Sequence, residues 1–180
     1  MSRCRLDAEG IEHVIYDCSF AYAIGSKLSY CKEIEGLLSR LSEPILMGLA
    51  SWVPPPAHLL KINVDACFVS ANGKSCSGII IRNHVGLIMG AALRHSYQVS
   101  SSFEAEALAV VNGLLFASEL GFRYVILECI FSFVPWSGNK VAHAVATLGR
   151  LENEDRFWIK EAPSPALELA VSDHRAWEPP

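Results

Sequence analysis

The sequence KINVDACFV, residues 61–69, predicts the first strand of a sheet, because its apolar and polar side chains alternate. The turn residues of ANGKS follow it. Two further strand-like runs come next, SGIIIRN at 77–83 and LIMGAALRHSY at 87–97. The connections between the three runs are short and Gly86 lies in the second of them. Such connections predict three consecutive antiparallel strands.

The segment SSFEAEALAVVNGLLFASELG, residues 101–121, predicts a helix. Ser101 and Glu104 have the spacing of a capping box, and a glycine ends the segment. RYVILE at 123–128 then has the composition of a buried strand. A helix between an antiparallel meander and another buried strand favours a crossover, and hence a mixed sheet. GNKVAHAVATLGR at 138–150 predicts a further helix.

Length and composition predict a single soluble domain with a short appendage. The chain has 180 residues, 51% of them hydrophobic, and a formal net charge of -4. This charge and the lack of a Lys/Arg run argue against a strong nucleic-acid binder. The sequence shows no membrane-spanning run and no secretory core. We therefore expect an intracellular protein of the nucleus or cytoplasm, whose six cysteines are reduced.

The prolines of SWVPPPAHLL favour a stiff linker and mark a domain boundary. Residues 1–50 are predicted to form a separate N-terminal piece, with one helix near 32–41. Residues 51–160 would form the main domain, and residues 161–180 an acidic, proline-containing tail.

Two carboxylates, Asp65 and Glu106, need an explanation. Asp65 lies inside a strand, where aspartate is uncommon, and Glu106 lies on a mostly apolar helix face. Gly113 shares that face and would let a sheet approach. Two buried carboxylates pointing at each other without a cation would suit Mg²⁺. The alternatives are an exposed Asp65 and a Glu106 favoured only by the helix dipole, with Glu104 nearly as good a candidate.

Several segments resemble, in order, the plant reverse-transcriptase-associated domains of the type 1 ribonuclease H family. They are WVPPPAHLLKINVDACF, GIIIRNHVGLIMGAA, SSFEAEALAVVNGLLFASELG, YVILE and VPWSGNKVAHAVAT, and together they cover roughly residues 52–160. The resemblance implies an α/β fold: a mixed sheet of five strands, order 3-2-1-4-5, with flanking helices. It also implies hydrolysis of the RNA strand of RNA–DNA hybrids with two Mg²⁺ ions held by four acidic positions.

Matched to the family motifs, the first two acidic positions fall on Asp65 and Glu106, which would be both catalytic and metal-binding. Ile130 stands where the third acid belongs. Glu128 lies on the same side of that strand, but about 6–7 Å away along it. The fourth position is His143, a weaker ligand than carboxylate for Mg²⁺. An ordinary packed helix histidine is the equal alternative.

The run VILECIFSFVPW, residues 125–136, has no room for the family's crossover between strands four and five. Parallel neighbours need a connection of roughly a dozen residues or more. We therefore expect a truncated fold in which one strand runs from about residue 124 to 133 and the sheet ends there. The last helix would then pack elsewhere and displace His143.

The N-terminal piece resembles the end of a zinc-binding segment found before such domains, through Cys4, His13 and Cys18. These three match the last three ligands, and Met1 stands at the position of the first, so zinc is not expected.

Two functions follow from these residues. The first is a ribonuclease H-like domain that binds RNA–DNA hybrid or another nucleic acid, with weak or no Mg²⁺ binding and impaired hydrolysis. The alternative is a non-catalytic retroelement-derived domain that is either inactive or a protein-interaction module. Only Trp158, Trp177 and apolar surface support an interaction module.

Overall fold

The computed structural model of the chain describes residues 52–128 and 138–177. These residues form five strands and three helices. In chain order they are β1 (Leu60–Val69), β2 (Lys74–Arg82), β3 (Ile88–Ser96), α1 (Ser102–Glu119), β4 (Val125–Glu128), α2 (Lys140–Leu148), β5 (Arg156–Ile159) and α3 (Ser164–Trp177).

The strands form one mixed sheet in the order β4-β1-β2-β3-β5. Strands β1, β2 and β3 pair antiparallel, and β4 pairs parallel to β1 after the α1 connection. The predicted meander, the helix at 101–121 and the crossover are therefore confirmed. Ser101 caps α1, with its hydroxyl accepting the Glu104 N–H at 3.1 Å. The architecture agrees with the predicted ribonuclease H-like α/β class.

The fifth strand differs from the expectation. We expected the sheet to end at the fourth strand, but β5 adds to the opposite edge and pairs antiparallel with β3. Its residues Phe157 and Trp158 explain this, because Phe157 packs on Phe116 of α1 and Trp158 packs on the other face. Among the residues that the structure describes, β4 is an edge strand ending at Glu128. The predicted long strand extends into residues 129–137, which lie outside the described residues.

Helices cover both faces of the sheet. On one face, α1 packs against β1 and β2, and the core includes Ile62, Val64 and Ile79. On the other face, α2 packs against β1 and β2 while α3 packs on α2. Side chains alternate along a strand, so Asp65 projects to the α2 face. The sheet is thus the middle layer of three.

Two glycines allow the helices to come close to the sheet. A Cβ at Gly113 of α1 would lie 2.6 Å from Val64 Cγ1, which confirms the predicted close approach. A Cβ at Gly78 of β2 would lie 2.2 Å from the Ala142 carbonyl oxygen and 2.3 Å from the Ala146 nitrogen. Helix α2 therefore rests directly on the backbone of β2.

A buried charged group, which we call the Arg82 cluster, lies on the α3 side of the sheet. It consists of Trp52, Asn63, Arg82 and Asp173. Arg82 donates to Asp173 Oδ2 at 2.9 Å and to Asn63 Oδ1 at 3.2 Å, and its Cζ lies 3.8 Å from the centre of the Trp52 ring. The Trp52 indole N–H also donates to Asn63 Oδ1 at 3.1 Å. The cluster ties the start of the main domain to α3.

The segment predicted as a tail contains α3, which packs on α2 through buried residues including Ala166 and Ala170. This helix was not predicted from the sequence. None of the described helices is long and apolar enough to cross a membrane.

Candidate metal site

Asp65 lies in the middle of β1 and its side chain is 2% exposed, so the alternative of a solvent-facing aspartate is wrong. Its partner is His143 of α2, whose Nδ1 lies 2.7 Å from Asp65 Oδ2. The imidazole itself is 43% exposed. The expectation that α2 packs elsewhere and displaces His143 is therefore wrong. The reason is that contacts with β1 and β2 fix α2, whatever the length of the chain before it.

Two features position α2 over Asp65. Gly78 is the direct cross-strand partner of Asp65, and its missing side chain is the space that α2 occupies. Asn139, at the start of α2, donates from Nδ2 to the Val64 carbonyl oxygen at 2.8 Å. Its own carbonyl accepts the His143 N–H at 3.0 Å. Asn139 thus links the residue next to Asp65 with the histidine that contacts Asp65.

Burial raises the pKa of the Asp65 carboxyl, because removal from water disfavours the charged form. The hydrogen bond and charge of His143 oppose this rise. Burial outweighs this contact, so the pKa of the Asp65 carboxyl stays above its ordinary value.

Glu106 lies in the second turn of α1, beyond the first-turn position that the helix-dipole alternative assumed. Burial, and then the charge of Asp65, raise its pKa to about 7, while the backbone of Ala66 opposes the rise. Its Oε2 atom is buried and has no hydrogen-bond partner among the residues that the structure describes. The influence of Asp65 shows that the two acids are electrostatic neighbours.

The two acids lie on different elements, and both reach the same part of β1. Helix α1, which carries Glu106, packs on the Val64 face of the sheet, whereas the Asp65 side chain projects towards α2. The Glu106 carboxylate accepts a hydrogen bond from the backbone of Ala66, the residue that follows Asp65. This contact brings Glu106 beside Asp65 on β1.

Glu128 does not join this site. It forms an ion pair with Lys61, and its Oε2 accepts from Asn63 Nδ2 at 2.9 Å. Lys61 is itself 6% exposed and also donates to the Val53 carbonyl oxygen at 2.7 Å. Ile130, where the third acid was expected, lies outside the described residues. Across the described residues, no three His, Cys, Asp or Glu side chains are grouped to hold a metal ion.

The metal-binding atoms of Asp65, Glu106 and His143 suit one cation better than two. Carboxylate oxygens suit Mg²⁺, and the unpartnered Glu106 Oε2 is a donor that a cation would satisfy. Asp65 and Glu106 would hold the ion, which would supply Lewis-acid stabilisation of negative charge. Two adjacent cations need more negative charge than these two carboxylates provide, because His143 adds none when neutral.

Three residues around the site were not predicted from the sequence: Asn139 and Gly78, which position α2, and Lys61, which holds Glu128 away. A glycine inside an apolar strand was the available signal for Gly78, since it often marks close backbone approach. The signal for Lys61 was its place in the same strand as Asp65, because a lysine inside such a strand indicates a buried ion pair. No feature of the sequence around Asn139 indicated its contact with β1.

Comparison with known proteins supports a reverse-transcriptase relationship for the central segment. Residues 63–130 match the family model described as reverse transcriptase-like. The match begins within β1 and ends just after β4, and it includes Asp65 and Glu106. It covers fewer than half of the 180 residues. Neither a curated protein nor a solved structure matches the chain significantly.

The raised pKa of Glu106 predicts a pH dependence of stability. A folded-state pKa of about 7, above the ordinary value of 4.5, means that the folded protein binds this proton more tightly. The stabilisation that protonated Glu106 contributes to the folded state is complete below about pH 4.5, falls as the pH rises, and is lost above about pH 7. We expect Glu106→Gln to remove that decline, measured by urea unfolding across this range.

Glu104→Gln is the matched control, because Glu104 lies on the same helix, two residues nearer its start, and serves the helix cap. We expect Glu104→Gln to change the free energy of unfolding but to keep its decline with rising pH, because Glu106 causes that decline. An unchanged pH slope in Glu106→Gln would contradict the assignment.

Proposed function

We propose that this chain is a ribonuclease H-like domain of retroelement descent whose hydrolytic site is incomplete. The finer assignment, to the plant reverse-transcriptase-associated domains of the type 1 family, belongs to the same proposal. In this function the domain binds RNA–DNA hybrid or a related nucleic acid weakly. Asp65 and Glu106 hold at most one Mg²⁺, and hydrolysis is impaired.

One observation carries the proposal: Asp65 and Glu106 are neighbours at β1, and the described residues bring no third carboxylate to them. The nearest substitute in the sequence, Glu128, is paired with Lys61 and Asn63. Recruiting it would break these contacts and leave the ammonium of Lys61 buried without its partner, which costs several kcal/mol. The arrangement thus favours retention of the two-acid site.

His143 supports impairment rather than activity. It occupies the fourth ligand position by resemblance, and its Nδ1 contacts Asp65 Oδ2. A protonated His143 would place a positive charge where the family pattern has a metal-binding acid. A neutral His143 would offer a nitrogen ligand, which suits Mg²⁺ less well than oxygen.

The charge distribution supports weak binding of nucleic acid. The chain has a net charge of -4, and Lys61 and Arg82 are buried in ion pairs. Fewer cations remain to contact phosphates, and the affinity for nucleic acid depends on how many phosphates the protein neutralises. Binding that disappears at moderate salt is the expected behaviour.

The test is cleavage of a labelled RNA–DNA hybrid by the full chain in Mg²⁺ and in Mn²⁺. Loss of one metal's Lewis-acid contribution is worth several kcal/mol. At about 1.4 kcal/mol for each tenfold change, we expect hydrolysis roughly a thousandfold slower than that of a complete two-metal site. Asp65→Asn should remove the part of this residual rate that depends on the bound ion.

Hybrid cleavage at an ordinary enzymatic rate that Asp65→Asn abolishes would contradict the proposal. A separate titration with Mn²⁺, followed by its paramagnetic resonance signal, tests the remaining site. We expect at most one ion per chain, lost in Asp65→Asn and weakened in Glu106→Gln. Two ions per chain would contradict the incomplete site even if cleavage is slow.

A further inference from the structure

The strand register brings two cysteines together on adjacent strands. Cys67 of β1 is the direct antiparallel partner of Cys76 of β2, and both are free thiols. Direct partners point to the same face, with Cα atoms about 4.5–5.5 Å apart. A disulfide needs Cα atoms about 4.4–6.8 Å apart. The backbone is therefore already placed for a bond between the two sulfurs.

We propose that Cys67 and Cys76 form a reversible cross-strand disulfide with small disulfides as the oxidant, and that this bond loosens the C-terminal end of α2. The inference does not depend on hydrolysis or on metal binding. It assigns a modification site to the strand pair that carries Asp65, two residues from Cys67.

The present position of the Cys76 side chain connects the thiol to α2. A Cβ at Gly149, the C-cap of α2, would lie 2.0 Å from Cys76 Sγ and 2.5 Å from its Cβ. Cys76 therefore fills the space that a side chain at Gly149 would need. To bond Cys67 across the strands, Sγ must turn along the sheet towards β1. The sulfur then no longer packs beneath the end of α2.

Accessibility sets the order of the reaction. Cys67 is partly exposed, whereas Cys76 is 3% exposed. The Cys67 thiolate attacks the small disulfide, forms a mixed disulfide and releases one small thiol. The Cys76 thiolate then attacks the Cys67 sulfur and releases the second small thiol. Two protein thiols lose their protons, and the oxidant is reduced to two thiols, so atoms and electrons balance.

Burial raises the pKa of the Cys76 thiol to about 12, so this group is a thiol at neutral pH.

The test is oxidation of the folded full chain by oxidised glutathione, followed by tryptic peptide mapping under non-reducing conditions. Trypsin separates the two residues, because Cys67 falls in the peptide 62–74 and Cys76 in the peptide 75–82. The other four cysteines fall in different peptides. We expect the linked pair 62–74 and 75–82 to exceed every other cysteine pairing several-fold, and to disappear on reduction.

Unfolding in urea before oxidation is the control, and the preference for this link should fall there because the register is lost. A Cys76→Ser variant should instead keep glutathione on Cys67. The second readout is amide hydrogen exchange, which should become faster at residues 145–149 after oxidation. A folded chain that yields only glutathione adducts or other pairings would overturn the disulfide. Unchanged exchange in a fully linked sample would overturn the effect on α2.

Discussion

Gly78→Ala should destabilise the protein by about 3 kcal/mol or more and should undock α2 from the sheet. The added Cβ would lie 2.2 Å from the Ala142 carbonyl oxygen and 2.3 Å from the Ala146 nitrogen. Both are backbone atoms of a helix, so no side-chain rotation relieves the overlap, and overpacking of this kind lies at the upper end of its usual cost. Urea unfolding measures the change in the free energy of unfolding.

Gly113→Ala is the matched control, because it adds the same methyl group beneath the other helix. Its Cβ would meet Val64 Cγ1 at 2.6 Å, a side-chain methyl group that can shift. Alanine also favours the helix by about 1 kcal/mol relative to glycine, which offsets part of the overlap. We expect a clearly smaller loss than for Gly78→Ala. Equal losses at both positions, or none at Gly78, would show that α2 does not rest on β2.

Asp173→Ala should cost about 3–5 kcal/mol, because it leaves the Arg82 guanidinium buried without its carboxylate. Arg82 is 1% exposed, and Asp173 is 10% exposed. The stack on Trp52 and the bond to Asn63 remain, but neither supplies a negative charge. Thermal and urea unfolding of the variant would measure the loss. It would also show whether α3 is required for the stability of the sheet.

Two further variants test whether the loss of stability in Asp173→Ala comes from the buried ion pair. Glu119→Ala removes the partner of Arg94 at a side chain that is 53% exposed, and such surface pairs contribute about 0–1 kcal/mol. Arg82→Met combined with Asp173→Leu replaces the buried pair with apolar side chains, which is often neutral or stabilising. The double variant should therefore recover much of the stability lost in Asp173→Ala. A loss in Asp173→Ala as small as in Glu119→Ala would contradict the buried ion pair.

The elements with strong periodicity could be predicted from sequence. The alternation at 61–69, the short turns and the Ser101 cap each act locally, and they predicted the three antiparallel strands and α1. The parallel β4 followed from the helix that precedes it. These features depend on backbone geometry over a few residues, so a single sequence contains enough information to predict them.

The misplaced features depend on long-range contacts. Helix α2 was expected to move because the connection before it is short, yet it is positioned by Gly78 and Asn139. Strand β5 is four residues long and joins β3 through its ring contacts, a signal too short for periodicity to detect.

The same limit applied within the candidate site. Asp65 and Glu106 could be selected by residue type and resemblance. The contact of Glu106 with the backbone of Ala66, and the pairing of Glu128 with Lys61, required the three-dimensional arrangement.

The stack of Trp52 on Arg82 also gives the domain a mechanical anchor. Trp52 lies two residues before the first linker proline, Pro54, and it rests on a guanidinium that is ion-paired to α3. A tension applied through the N-terminal segment would be borne by this aromatic contact before it reached the hydrogen bonds of β1. The anchor thus protects the strand that carries Asp65 from forces transmitted along the chain.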